Sequence, residues 1–391
     1  MLLKNGSVFV DGKFIPADLL VTGGKISALW TYKEKTGQNY QGEETIDCTG
    51  KMIWPGLFDL HTHGCLGYDF SKSNPEKILK MCSFYAEHGV TSVLATTMTN
   101  EETQYAQAMC HIRQAIKEQA RGRERSIGAR IQGIHMEGPF FSPAKKGAHS
   151  EKYLRPLSQS LLNEYQKLSG NAIRLLALDP SLPGAPEFIR DNKEFLTISI
   201  AHTDCDYETA MTAANAGATH VTHLFNAMRP LLHRAPGVVG AAFTAGLNAE
   251  IICDGIHVHP AVVGLVFSAM PDHILLISDS INPTGLPDGN YEAGGLPVKV
   301  KDHRAYLPDG TLAGSTITLY DAVKNAVHFH VPLEKALLAA TALPAKAIGL
   351  EGEVGSIACG RDADLLIVNE GLTLEKVMVG GKFLGHTECR N

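Results

Sequence analysis

Residues 56–63 read GLFDLHTH, a short apolar run that closes on two histidines, with Gly64 directly after them. Seven more runs of this kind follow: TSVLATTM (91–98), ARIQGIHME (129–137), IRLLALD (173–179), LTISIAH (196–202), THVTHLF (219–225), AEIICD (249–254) and HILLISD (273–279). Near-continuous apolarity is the mark of parallel strands covered on both faces. Helix-compatible segments separate most of them. In NPEKILKMCSFYAEHG, Asn74 can cap, Pro75 suits the first helical position and Gly89 suits the stop. DYETAMTAANAG, from Asp206 to Gly217, carries the same start and stop chemistry. Eight β/α alternations over roughly 225 residues predict an α/β fold of the TIM (β/α)8 barrel type, whose usual size is ~250 residues. A doubly wound sheet is the rival. It wants a glycine-rich phosphate turn after its first strand, and HTHGCLG (61–67) is not one.

Outward from the barrel, both termini change character. SVFVDGKFI, DLLVTGGKISALW and ETIDCTGKMIW precede it, and GSIACGRDADLLIVNE and KVMVGGKFL follow it. These are short β-branched runs with Gly turns, each set too small to form a stable sheet alone. Residues 1–55 and 351–391 are therefore expected to combine in one small β-sandwich domain beside a barrel of residues 56–350. No segment repeats at a solenoid period.

The 391 residues are 44% hydrophobic and 19% charged, which excludes a disordered, fibrous or coiled-coil chain. A net charge of −6 gives no global attraction to nucleic acid or an anionic membrane, so neither partner is expected. An anionic small substrate needs a local positive pocket. No apolar run approaches the ~18 residues of a membrane span. MLLKNGSVFVDGKF lacks the ~7–15-residue apolar stretch of a secretory signal. Eight cysteines without a CxxC pair, mostly in apolar segments, read as reduced, buried thiols of a cytoplasmic protein.

The polar residues fall at the C-terminal ends of the strand-like runs: His61 and His63 on the first, Glu137 on the third, His202 on the fifth, His223 on the sixth and Asp279 on the eighth. In a TIM barrel that rim carries the active site. The H-x-H motif alone is cheap and occurs three times, at His61/His63, His257/His259 and His328/His330. Only the first ends a strand-like run, where residues i and i+2 face the same way. His328 and His330 lie in the helix-like DAVKNAVHFH, where they diverge. Glu137 is a ligand or the partner of a buried base. His202 and His223, taken singly, are more often satisfied core histidines. Together with Glu137 they match the His2Glu set of catalytic zinc, which leaves a position for water. Asp279 either caps the next turn or shuttles a proton. His135 and His220 are expected to point elsewhere.

A set of motifs is similar to those of the N-acetylglucosamine-6-phosphate deacetylase family of the amidohydrolase superfamily. They are PGLFDLHTHG (55–64), HMEGPFF (135–141), KKGAH (145–149), IAHTD (200–204), HLFNAM (223–228), HRAPGVVG (233–240), DGIH (254–257), SDSINPTG (278–285), LAGS (312–315) and GRDADLLIV (360–368). The resemblance spans essentially the whole chain and implies the same two-part fold. It implies Glu137, His202 and His223 as the principal metal ligands and Asp279 as general base and then general acid. It places His149 at the acetamide with Ala148 beside it. Asn226, Ala227, Arg234 and His257 would hold the sugar phosphate, and Leu312, Ala313 and Gly314 would line the sugar. Family members that keep the H-x-H can hold a second metal, so His61 and His63 imply a second site sharing Glu137. No lysine stands at a matching strand end to bridge, as in dihydroorotase-like relatives; the glutamate replaces it. One or two divalent metals per subunit are expected: zinc first, with iron, manganese and cobalt also suited to these ligands. The implied reaction is hydrolysis of the acetamide of N-acetyl-D-glucosamine 6-phosphate. The alternatives are the N-acetylgalactosamine 6-phosphate isomer, another metal-dependent cyclic amidohydrolase, or a non-catalytic scaffold, which predicts missing ligands. A homodimer or homotetramer is expected, with the His233–Arg234 loop reaching a neighbour's phosphate pocket.

Overall fold

The computed structural model describes residues 1–31, 43–121 and 128–385. Eight strands pair in chain order: β1 (Leu57–Thr62), β2 (Val90–Thr97), β3 (Arg130–Glu137), β4 (Ile173–Leu178), β5 (Thr197–Ile200), β6 (His220–Val221), β7 (Asn248–Ile252) and β8 (Ile274–Ile277). Every neighbouring pair is parallel. Helices α1 (Pro75–Glu87), α2 (Glu102–Arg121), α3 (Gln159–Ser169), α4 (Ala185–Asn192), α5 (Tyr207–Ala216), α6 (Gly237–Ala245), α7 (Pro260–Ala269) and α8 (Leu319–His328) follow the strands in turn. The barrel expectation holds strand for strand. The predicted ends hold too: Asn74 accepts from Lys77 N–H and Asp206 from Thr209 N–H, while Gly89 and Gly217 follow their helices at positive φ.

The ring closes between β8 and β1. Thr62 and Ser280 form a parallel bridge, Asp279 N–H donates to His61 O at 2.9 Å, and His63 N–H donates to Ser280 O at 2.8 Å. Ser278 adds a hydroxyl bond to the Asp59 carboxylate at 2.5 Å. The opposite end of the barrel is apolar. Phe58, Leu60, Leu94, Leu175, Leu275 and Ile277 pack there with Ala345, Ile348, Leu350 and Val354. Between β8 and α8 the chain makes a three-stranded antiparallel insertion over residues 289–306, with a small core of its own.

Strands from both termini form one further sheet. Its order is Lys382–Phe383, Leu374–Val379, Leu365–Asn369, Lys51–Pro55, Leu2–Val10, Lys13–Thr22 and Lys25–Thr31, with Thr45–Asp47 beside Leu2–Val10. The sheet folds over itself: Ile26 N–H donates to Arg361 O and Ala363 N–H to Gly24 O, both at 2.9 Å. Leu3, Leu19, Ile26, Leu365 and Met378 consequently share one core, giving the layered β unit. Where the ends meet, a Cβ on Gly24 would lie 2.7 Å from the Gly380 carbonyl oxygen, so only glycine fits.

Cys48, Cys65, Cys82, Cys205 and Cys253 are buried free thiols, as expected. Cys110 and Cys359 are exposed, which corrects that expectation. Cys110 lies off the buried Tyr105–Ala108–Met109–Ile112 stripe of α2. Cys389 lies outside the described residues. Among the described residues no helix is long and apolar enough to cross a membrane.

Arg130, at the start of β3, ties the barrel to the β unit by pairing one guanidinium nitrogen with Asp362 and the other with Asp364. Burial pushes the Asp364 carboxyl up even against Arg130. Arg130→Ala is expected to cost about 2–4 kcal/mol in urea unfolding, because it leaves a buried carboxylate without its counter-charge. An unchanged midpoint would show that the clamp contributes nothing.

Candidate active site

Five strand ends carry the site. His61 and His63 leave β1, Glu137 ends β3, and His202, His223 and Asp279 stand just beyond β5, β6 and β8. These last three have positive φ, at 46°, 31° and 48°. Left-handed backbone at a residue bearing a Cβ costs about 1–3 kcal/mol and turns the side chain over the barrel mouth.

Glu137 is the hub. Its Oε1 lies 3.1 Å from both His202 Nε2 and His223 Nε2, and 3.5 Å from His61 Nε2. Its Oε2 lies 3.2 Å from His63 Nε2 and 3.4 Å from His149 Nε2. Asp279 Oδ1 is 3.3 Å from both His61 and His63. All of these groups are buried, and the partners of Glu137 are imidazoles, with no buried arginine or lysine.

The ring partners sort the histidines. The Nδ1 of His202 faces the Lys145 carbonyl at 3.0 Å, and that of His61 faces a Glu250 oxygen at 2.9 Å. Both partners only accept, so each Nδ1 carries the proton and a neutral ring offers its Nε2 lone pair to the site. His149 is the reverse. Its Nδ1 lies 2.8 Å from the Thr99 hydroxyl, which can donate, and 3.3 Å from Thr99 N–H, which can only donate; with Nδ1 accepting, Nε2–H points at the site as a donor. The His202–His223 and His61–His63 Nε2 pairs stand 3.1 and 3.2 Å apart. Metal–nitrogen bonds of ~2.0–2.1 Å at a tetrahedral angle require ~3.3 Å between donors, so both pairs fit a shared cation. Two compact ligand groups in this region are His61–His63–Asp279 and Glu137–His149–His202. The proton on His149 Nε2 argues for it as a hydrogen-bond donor in the second group.

Without a cation, protons bind there. Burial opposes charge on His63, but hydrogen bonds to Asp279 and Glu137 outweigh it and lift the ring to about 9. Burial likewise opposes charge on His61, where Glu137, Asp279 and Glu250 hold the ring well above its usual value. His202 goes the other way, as burial and the adjacent His149 lower it to about 4. Burial opposes ionisation of Glu137 too, and the surrounding imidazoles carry it well below the usual carboxylate range.

A cavity opens above the cluster. Ala148, His149, Asn226, Ala227, His257, Leu312, Ala313 and Gly314 all line it, joined by Met98, Ile281, Ala293 and Thr311. His257 is oriented by Asp254, whose Oδ2 is 2.6 Å from Nδ1. His259 instead caps α7, and His328 ends α8, both away from the cavity. Arg234 does not line the cavity within one chain; it is exposed on the loop with Leu231, Leu232 and His233.

Two expectations need correction. His135 and His220 do not point away. The His135 ring packs 4.6 Å from His61, and His220 Nε2 lies 3.3 Å from Glu250 Oε1. His135 shares the parity of Glu137 on β3, so both side chains enter the barrel. Glu250 itself went unread, although a glutamate within the apolar run AEIICD was a visible signal.

Because His61 and His63 are lifted above neutrality, cation uptake at pH 7 should release about one proton or more per chain. Apparent affinity should climb as pH rises and level above about 9. The metal-free protein should show the opposite trend. The stability contributed by charged His63 is full below ~6.5 and lost as pH rises through about 9. Calorimetry in buffers of different ionisation heat reads the release directly, and uptake without proton release would contradict the protonated pair.

Residues 52–384 match the amidohydrolase family. The chain is 36% identical over 382 residues to an N-acetylglucosamine-6-phosphate deacetylase of Bacillus subtilis, covering 94% of this chain and 93% of that one. It is 33% identical over 335 residues to an N-acetylgalactosamine-6-phosphate deacetylase of Escherichia coli O157:H7, covering 85% and 87%. The solved structure of N-acetylglucosamine-6-phosphate deacetylase from Pasteurella multocida superposes with a TM-score of 0.90 at 29% identity, covering 98% and 99% of the two chains. With strand ends that converge on a histidine–carboxylate cluster and a match along nearly its whole length, the chain belongs to the amidohydrolase family.

Proposed function

We propose that this site hydrolyses the acetamide of N-acetyl-D-glucosamine 6-phosphate, giving D-glucosamine 6-phosphate and acetate in amino-sugar catabolism. The observation that carries the reading is the placing of the Asp279 carboxylate 3.3 Å from His61 and His63, in one cavity with the Nε2–H of His149. Glu137, His202 and His223 would hold a principal divalent cation. His61 and His63 would hold a second one and share Glu137. Zinc leads on ligand type, with iron, manganese and cobalt as the other candidates. A cation held there would supply Lewis acidity and lower the pKa of water to roughly 7.

The chain's own groups do the rest. Asp279 accepts a proton from the attacking water as its oxygen bonds to the acetyl carbon. His149 donates a hydrogen bond to the carbonyl oxygen as negative charge grows on it. Asp279 then delivers the proton to the sugar nitrogen as the C–N bond breaks, releasing acetate and the free amine. Asn226, Ala227 and His257 face the sugar-phosphate end, with Leu312, Ala313 and Gly314 along the sugar. Arg234 supplies the phosphate-binding guanidinium from its exposed loop, across a homodimer or homotetramer interface. We further assign residues 1–55 with 351–391 to the β unit, residues 56–350 to the metal-dependent barrel, and the protein to the cytoplasm. Residues 32–42 and 386–391 of that β unit lie outside the described residues.

The galactosamine isomer is the second reading, favoured by the name of the Escherichia coli relative. Side-by-side kinetics on the two sugars decide between them, since a site that hydrogen-bonds the one differing hydroxyl discriminates strongly.

The first test is metal content per chain paired with acetate release. About two metals with rapid release are expected, and neither metal nor activity after add-back would overturn the reading. Asp279→Asn should keep its metal and lose turnover by about 10²–10⁴-fold. Wild-type turnover in that variant would remove Asp279 from the chemistry. Arg234→Ala should raise KM for the phosphorylated sugar by about 10–100-fold and leave the unphosphorylated sugar nearly unchanged. Equal effects on both would reject the phosphate role.

A further inference from the structure

Glu250 lies on β7 beneath the cluster, with none of its surface exposed. Its Oε2 stands 2.9 Å from His61 Nδ1 and accepts from the His223 amide at 3.3 Å. Its Oε1 is 3.3 Å from His220 Nε2 and makes no hydrogen bond. Its backbone carbonyl accepts from Leu224 N–H at 2.8 Å. One buried carboxylate therefore touches the first strand's histidine and the turn that carries His223.

Packing does not account for an acid in this place. Its side-chain partners are histidines and a backbone amide, with no lysine or arginine, and an apolar side chain of the same volume would avoid the desolvation cost of a buried charge. Its chemistry toward His61 is specific. A neutral imidazole has one N–H, and a carboxylate only accepts. While Nδ1–H donates to Glu250, the lone pair of His61 must be on Nε2, the atom that faces Glu137, His63 and Asp279.

We propose that Glu250 is a positioning residue: it fixes the tautomer and ring orientation of His61 so that Nε2 is presented as a ligand of the second cation. The inference rests on the two-cation reading above. Carboxylates that hold a ligating histidine in this way are worth about 10–100-fold in metal affinity. His202 receives the same service from the neutral Lys145 carbonyl. His61 receives it from a full charge. A rival role makes Glu250 itself a ligand, together with His61 and His135, whose ligand atoms lie within 4.8 Å of one another. That role requires His61 Nδ1 as a lone pair, which the hydrogen bond to Glu250 removes.

The test is Zn²⁺ binding to the full chain by chelator competition, comparing wild type with the isosteric Glu250→Gln. Wild type is expected to take two equivalents. In Glu250→Gln the second should weaken by about 10–100-fold, with the first nearly unchanged and the circular dichroism spectrum retained. Two equivalents of unchanged affinity in the variant would overturn the positioning role while leaving the two-cation reading intact. One equivalent in wild type would overturn that reading and the inference with it. Anomalous diffraction from Zn²⁺-loaded wild type covers the case of a variant that does not fold. A peak bonded to His61 Nε2, with Glu250 on Nδ1, supports the role, and a peak bonded to a Glu250 oxygen overturns it.

Discussion

Closure of the barrel between its eighth and first strands is the constraint on which the site depends. The seam is short: a Thr62–Ser280 bridge, backbone bonds from Asp279 N–H to His61 O and from His63 and Gly64 N–H to Ser280 O, and the hydroxyl of Ser278 on Asp59. It joins residues more than two hundred positions apart, and it carries His61, His63 and Asp279 on its two sides. The backbone bond from Asp279 to His61 O is part of the ladder that closes the ring. The proton-shuttle candidate and the H-x-H pair are thus brought together by main-chain hydrogen bonds, and no side-chain interaction has to find them. An active site built on a ladder inherits its rigidity, which suits groups that must be held to a fraction of an ångström.

Above the apolar barrel floor the interior changes to a layered polar network. The lower polar layer holds His135, His220 and Glu250, and the upper layer holds Glu137 with His61, His63, His202 and His223. Buried Glu137 and Glu250 are tolerated because each faces imidazoles, and His61 and His63 among them hold their protons when no cation is present. Cations and protons compete for the same nitrogens. The identity of each ring's second partner decides which nitrogen competes: a carbonyl for His202, a carboxylate for His61 and a backbone amide for His149. Chemically identical side chains thus present different ring nitrogens to the cluster, according to groups outside it.

How much of this was legible in the sequence follows from what each feature rests on. Strand positions were legible because burial on both faces demands apolar runs, and helix ends because caps are local: Asn74, Gly89, Asp206 and Gly217 act within one turn. Residue types at strand ends were legible because barrel topology alone sends those ends to one rim. Glu250 was overlooked since nothing local distinguishes a positioning acid from any other polar interruption of a strand. Strand parity, read from Glu137, turns His135 inward, whereas His220 sits on a two-residue strand whose sequence carries no such register. Arg234 is an exposed loop residue in the single chain, and a loop's reach is not a local property.

The sequence by itself determined the eight-fold β/α alternation, the pairing of the two termini in a β unit, and the supply of histidines and carboxylates at the rim. These depend on periodicity, composition and short-range capping. Only the tertiary structure decided which nitrogen of each histidine faces the site, which acid serves the ligands, and that His202, His223 and Asp279 adopt left-handed backbone. The physical reason is one of range. Tautomers, ring orientations and strained dihedrals are set by partners on other strands, and those partners are chosen by the register and closure of the barrel.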